Sequence, residues 1–196
     1  MGEKMQYQPL TTGDKISVLF YRTGLMLVTL QLLYGAYFMI LAKPINTRDL
    51  STYITILHLL TGLSVINIHL YVKRFRYFIR GLYAFSLLIV GLLLLYRGMG
   101  FGELFLVRPQ TAILLLPVAG CIAFFGVKEA FCFRIMEGYI SALLLVLSVF
   151  GISIAGFQSR AMGILLMLTS LIYALFIIKK VFMPLAYDIG DKSAYE

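Results

Sequence analysis

Charge is scarce in this chain. Of its 196 residues only 13% are Asp, Glu, Lys or Arg, whereas 61% are hydrophobic, and the mean hydropathy is +0.92. Soluble domains carry about 25% charged and about 45–50% apolar residues. So few charges cannot cover so much apolar surface in water, which excludes a soluble globular class and makes lipid the implied solvent. Cysteine is nearly absent as well. Cys121 and Cys132 form neither a disulfide framework nor a metal-ligand spacing, and both read as reduced, packed thiols.

The signatures of chemistry are missing too. There is no HExxH, no paired carboxylate and no Ser–His arrangement. No apolar run carries Asp, Glu, Lys or Arg at its centre, where coupled pumps and proton relays usually keep an ionisable group. An enzyme or ion-coupled pump is therefore disfavoured, and no catalytic or metal-binding residue is expected. The polar start of the chain leads into a full-length apolar run with no small-residue cleavage site, so the first span is expected to be retained. No internal repeat is evident, and no aromatic-basic domain is present to hold nucleic acid.

What is there is six charge-free runs, at 25–41, 53–72, 81–96, 111–127, 138–157 and 161–178. A helical span needs about 20 apolar residues. Adding flanks extends the runs to spans at 18–41, 53–72, 77–97, 110–127, 138–157 and 161–180, followed by a polar tail at 184–196. The runs are continuously apolar rather than alternating, which implies helices and not a barrel. The expected fold is an all-α, polytopic bundle of six transmembrane helices in a single domain. Arg22, Arg80 and Arg97 are expected to lift their charged ends to the interface. Tyr21, Tyr53, Tyr71, Tyr96 and Tyr139 are expected to form an aromatic belt.

The net charge of +8, from 17 basic and nine acidic residues, then reads as topology. Lys4, Lys15, Arg22, Lys73, Arg74, Arg76, Arg80, Lys128, Arg134, Lys179, Lys180 and Lys192 fall on the side of both termini. Lys43, Arg48, Arg97, Arg108 and Arg160 fall on the other. That bias places both termini in the cytoplasm or its equivalent.

His58 and His69, the two histidines, fall in the second run. On one helix they share a face about 16 Å apart, which raises axial ligation of haem or chlorophyll. Thr61, Ser64 and Asn67 on the same run favour a polar face hydrogen-bonded inside the bundle, so no cofactor is expected. Lys73, Arg74, Arg76 and Arg80, interleaved with Phe75, Tyr77 and Phe78, suit anionic lipid headgroups; orientation alone also explains them. Residues 127–138 interleave Lys128, Glu129, Arg134 and Glu137 with Phe131 and Phe133, either as a docking surface or as a solvated loop dipping into the interface. Cys132 lies four residues after Lys128, but without a nearby histidine base a nucleophile is disfavoured. Gly98, Gly100 and Gly102 read as a flexible loop, Pro117 as a mid-span kink near 113–120, and Gly151 with Ala155 as a close-packing pair.

Four stretches resemble a family of uncharacterised six-helix integral membrane proteins of cyanobacteria and plant plastids. They are Tyr21-Arg22-Thr23-Gly24, Ile68-His69-Leu70-Tyr71, Lys128-Glu129-Ala130-Phe131-Cys132-Phe133 and the tail from Pro184 through Asp188, Asp191 and Lys192 to Ser193. The resemblance runs over 21–196, and His58 departs from its pattern. It implies an oxygenic phototroph and a thylakoid or plasma membrane, and it transfers no catalytic residue. With the charge bias it places the tail and the Lys128 stretch on one face, where they are expected to meet each other or a common partner. Lys128, Glu129, Cys132, Arg134, Asp188, Asp191 and Lys192 are the candidate contact residues. The expected partners are membrane lipids and a photosynthetic complex or a second copy of the chain. The function this suggests is a non-enzymatic accessory or assembly factor, with a small-solute channel or transporter as the alternative and a pigment carrier behind it.

Overall fold

The structure, a computed structural model, describes residues 11–41, 45–70, 72–95 and 100–189. Lys4, Lys43, Tyr71, Tyr96, Arg97, Gly98, Met99, Asp191 and Lys192 lie outside the described residues. The described elements are α1 (Thr12–Ile40), α2 (Thr47–Asn67), α3 (Lys73–Leu95), the short α4 (Phe101–Val107), a 3₁₀ segment (Pro109–Leu115) running into α5 (Leu116–Phe133), α6 (Met136–Ala155), α7 (Arg160–Val181) and the one-turn α8 (Ala186–Ile189). Six helices are long and apolar enough to cross a membrane, the 3₁₀ segment and α5 counting as one at Pro109–Phe133. The all-α, six-span expectation is what the structure shows.

Local chemistry sets the helix ends. α1 opens with a reciprocal cap: the Thr11 hydroxyl accepts from the Asp14 N–H at 3.2 Å, and the Asp14 carboxylate accepts from the Thr11 N–H at 2.8 Å. The caps of α2 and α7 are one-way, the Asn46 side chain accepting from the Arg48 N–H and the Ser159 hydroxyl from the Met162 N–H. α1 packs along α7 and α2, α5 along α6, and α6 along α7, while α3 lies outermost against α5. Only Ile79 and Ser86 of α3 are buried, and its exposed face, with Phe85, Leu88 and Leu92, belongs to lipid.

Close backbone approach organises the tightest crossing. A β-carbon on Gly126 would lie 2.7 Å from the Gly138 carbonyl oxygen, and one on Gly138 would lie 2.4 Å from that of Gly126. α5 and α6 therefore touch backbone to backbone. Gly151 of α6 instead makes room for a side chain of α7, since its β-carbon would meet Met162 Sδ at 2.3 Å.

Several expectations are corrected. Of the glycines expected in a flexible loop, Gly100 is the N-cap of α4 and Gly102 is helical, set against the Thr47 carbonyl of α2. Pro117 lies in the first turn of α5, where its missing N–H costs nothing, so it marks a 3₁₀-to-α junction instead of a mid-helix kink. α2 ends at Asn67 with Ile68 extended, so His58 and His69 do not share a helical face. Most of 127–138 is helical, and the connector is short because Arg134 takes the left-handed conformation (φ 57°) and Ile135 is extended.

The glycine contact makes a contrast measurable. Gly138→Ala is expected to destabilise the protein in detergent by about 1–3 kcal/mol, because backbone and not a mobile side chain must move. Gly91→Ala, facing open space on α3, is expected to be neutral or to raise thermal stability slightly. Thermal unfolding of the two variants side by side checks the ordering.

Candidate functional site

Two features stand out, one at each end of the bundle. The first is a buried ion network where α1, α5, α7 and the tail converge. Glu129 and Lys180 have fully buried side chains, Asp188 and Arg22 are nearly so, and Lys128 is largely covered. Lys180 Nζ lies 2.7 Å from Glu129 Oε2 and 2.5 Å from Asp188 Oδ1, ion pairs of close distance without a directed hydrogen bond. Glu129 Oε1 accepts from Lys128 Nζ at 2.6 Å and from the Tyr21 hydroxyl at 2.8 Å.

Arg22 holds the tail. Its Nε donates to Asp188 Oδ2 at 2.8 Å, and Nη2 reaches the same oxygen. Nη1 donates to the carbonyls of Val181 (2.8 Å) and Met183 (2.7 Å), and Nη2 to that of Pro184 at 3.2 Å. A guanidinium has five N–H donors, and each has an acceptor here. Three of these acceptors are carbonyls at and just beyond the end of α7, which a helix terminus leaves without intrahelical donors. Aromatic faces complete the site: Lys180 Nζ sits 3.9 Å from the Phe133 ring centroid, and Phe133 stacks on Tyr187 at 6.3 Å.

The network joins the two stretches that the sequence marks out, since the Lys128-Glu129 segment and the Asp188 tail meet through Lys180. The carboxylates of Glu129 and Asp188 are spent internally, which corrects their placement on an external contact surface. Cys132 and Arg134 are exposed. Arg22 and Tyr21 were expected at the headgroup interface and instead point inward. Their signal was helical register: Tyr21, Leu25, Val28 and Leu32 form one buried stripe, with Arg22 beside it.

The histidines sit apart. His58 Nδ1 donates to the Ile54 carbonyl at 2.8 Å, the tautomer fixed by a carbonyl that can only accept. Thr61 and Asn67 likewise donate to their own helix, and Ser64 to the Tyr21 carbonyl, so this face is satisfied internally. His69, in the connector after α2, shares a hydrogen bond with Ser17 at 2.6 Å. Of the basic turn, Arg76 donates to the Leu70 carbonyl at 2.7 Å, while Lys73 and Arg74 are exposed.

The second feature is an interhelical cavity of about 350 Å³ bounded by α1, α2, the 3₁₀–α5 junction, α6 and α7. Of its lining residues, Leu57, Ile122 and Leu145 are buried, Tyr53 is half-buried, and Tyr34 and Asp49 are exposed. Ile122 lies seven residues, about 10 Å of helix, before Glu129, so the cavity occupies the half remote from the ion network. His58 does not line it.

Removing one partner from a buried charge set leaves the others uncompensated. Asp188→Asn is expected to cost about 3–5 kcal/mol and to release the tail, read as faster proteolysis beyond Val181. Arg22→Lys, which keeps the charge but not the fork, is expected to loosen the tail similarly.

His69 gives a pH dependence. Burial first, with the Lys128 ammonium and Arg76 adding to it and Asp188 and Asp14 opposing, lowers its pKa below the ordinary 6.5. The unfolded chain then binds the proton more readily, so this contribution is complete above 6.5 and is lost as pH falls below it. His69→Gln is expected to flatten the acid side of the stability profile measured by thermal unfolding.

Comparison with curated proteins and with solved structures finds no match. The model of one protein family, described as "Uncharacterized integral membrane protein (DUF2301)", matches residues 63–196. That stretch takes in the His69 connector, the Lys128–Phe133 segment and the tail, and it leaves out Tyr21 and Arg22. It covers more than half of the chain, and the protein is therefore a multi-pass integral membrane protein of the DUF2301 family.

Proposed function

We propose that this protein is a non-enzymatic accessory or assembly factor that acts by contact on a photosynthetic membrane complex. The observation that carries the reading is the locked corner at the ends of α5 and α7. The ion network ties the tail to α1, and the left-handed turn at Arg134 closes α5 onto α6. At this corner Phe131 (79% exposed), Cys132 and Arg134 are exposed at the end of α5, and Phe182 (85% exposed) at the end of α7. Aromatic and arginine side chains on a preorganised surface are what an interface draws on.

The remaining parts of the reading come from the sequence. The excess of lysine and arginine favours a cytoplasmic or stromal position for this corner. The resemblance of its segments to cyanobacterial and plastid proteins favours a thylakoid or plasma membrane of an oxygenic phototroph. Lys73, Arg74, Arg76 and Arg80 suit anionic headgroups at about 1 kcal/mol per basic residue.

A second reading, a small-solute transporter, is favoured by one observation: a cavity in one half of the bundle and an ion-sealed opposite half. The cavity's apolar wall counts against a hydrophilic solute. Haem or chlorophyll at His58 or His69 stands behind both, since neither imidazole faces that cavity.

Cys132 supplies the test, because Cys121 is buried and Cys132 is exposed. A thiol-anchored photo-crosslinker on Cys132 in native membranes is expected to yield an adduct with a subunit of a photosynthetic complex. Arg134→Glu is expected to reduce that adduct strongly. Migration solely as a free monomer after gentle solubilisation, with adducts to lipid alone, overturns the proposal.

A further inference from the structure

The cavity in the other half of the bundle is too large to be a packing defect. Protein interiors hold few voids larger than a water molecule, whereas about 350 Å³ falls in the range of small-molecule sites, roughly 300–1,000 Å³. Its walls come from separate helices and include small residues, Gly35 of α1 and Ala119 of α5. A β-carbon on Gly35 would lie 2.4 Å from the Tyr53 hydroxyl, so the absent side chain is what lets that phenol lie against α1.

The buried part of the lining is unsuited to water. An ordered water needs two to four polar partners, and the buried wall at Leu57, Ile122 and Leu145 offers hydrocarbon. Ser148, also in the lining, already donates to the Leu144 carbonyl at 2.8 Å and lies 3.3 Å from Thr169 Oγ1. The other polar groups of the lining include the Tyr53 phenol, which lies against Gly35, and the exposed Asp49 carboxylate. Asp49 belongs to the first turn of α2, is exposed, and makes no ion pair among the described residues.

We propose that this cavity binds a single-chain amphiphile, its apolar body against Leu57, Ile122 and Leu145 and a hydrogen-bond-donating neutral or cationic head at Asp49 and Tyr53. The cavity's shape selects the body, and the carboxylate selects the head. An alcohol donates to Asp49, an ammonium pairs with it, and a second carboxylate is repelled. This site is independent of the contact surface at the opposite end of the bundle.

The experiment uses the full-length protein in lipid nanodiscs with three photoreactive probes of equal chain length: diazirine-bearing dodecanol, dodecylamine and dodecanoate. Dodecanol and dodecylamine are expected to label the cavity walls at 32–39 and 115–122 saturably. Dodecanoate is expected to label them about tenfold less. Asp49→Asn, an exposed change that removes the negative charge, is expected to erase the difference between amine and carboxylate labelling. Ala119→Phe fills the cavity and is expected to cut saturable labelling by about tenfold without changing labelling of Leu88 and Leu92 on the lipid face of α3. Unsaturable labelling shared equally by the cavity and α3 overturns the site, because bilayer lipid tails are then its sole occupants. Equal labelling by dodecanoate and dodecylamine in the unaltered protein overturns the assigned head chemistry. If Ala119→Phe does not fold, the Asp49→Asn comparison still decides.

Discussion

A fully buried ammonium, Lys180 at the end of α7, holds two carboxylates that arrive from different parts of the chain. The effective cost of removing an ion from water is several kcal/mol, and it is offset only when geometry and further hydrogen bonds are good. The end of the bundle therefore closes only if α5 delivers Glu129 and the tail delivers Asp188 to the same point. Arg22 adds a second condition, because its donors engage the carbonyls around the end of α7 as well as Asp188. The path of the tail follows from this hydrogen-bond accounting more than from apolar burial. Such a network is better understood as specifying one arrangement than as adding net stability.

The network also explains which parts of the structure could be read in advance. The spans were legible because a charge-free run of sufficient length has few other places to be. Their ends are less so, because a charge near the end of an apolar run reads as arrival at the interface. Glu129 and Lys180 show why that rule fails. Each continues a buried stripe, Phe125 to Glu129 on α5 and Tyr173, Phe176 and Lys180 on α7. Whether a terminal charge points outward or inward depends on what the neighbouring helices bring to it, and a single span carries no record of that. Register was the available clue at Arg22, which lies beside an apolar stripe of α1.

The connectors were misread for a related reason. Gly102 looked like flexibility, yet its missing side chain is required by contact: a β-carbon there would lie 2.0 Å from the Thr47 carbonyl oxygen. Pro117 looked like a kink, but a proline in the first turn of a helix lacks only a donor that would have been idle. In both cases composition was informative and its meaning depended on position relative to helix ends, the least legible quantity in a chain of apolar runs.

The two halves of the bundle are consequences of one another. At the charged end the helices are drawn together by ion pairs and by the backbone contact of Gly126 with Gly138. At the other end α4 packs closely on the start of α2 through Gly102 and Thr47. The space beside Gly35 is taken by the Tyr53 phenol, while Ala119 presents only a methyl group to the cavity. Because that cavity is apolar, hydration does not supply its contents, and because it opens among membrane helices, the surrounding phase offers amphiphiles. The contact role proposed for the charged end and the amphiphile site proposed for the other therefore rest on opposite treatments of the same problem, burying charge in one half and leaving apolar wall uncovered in the other.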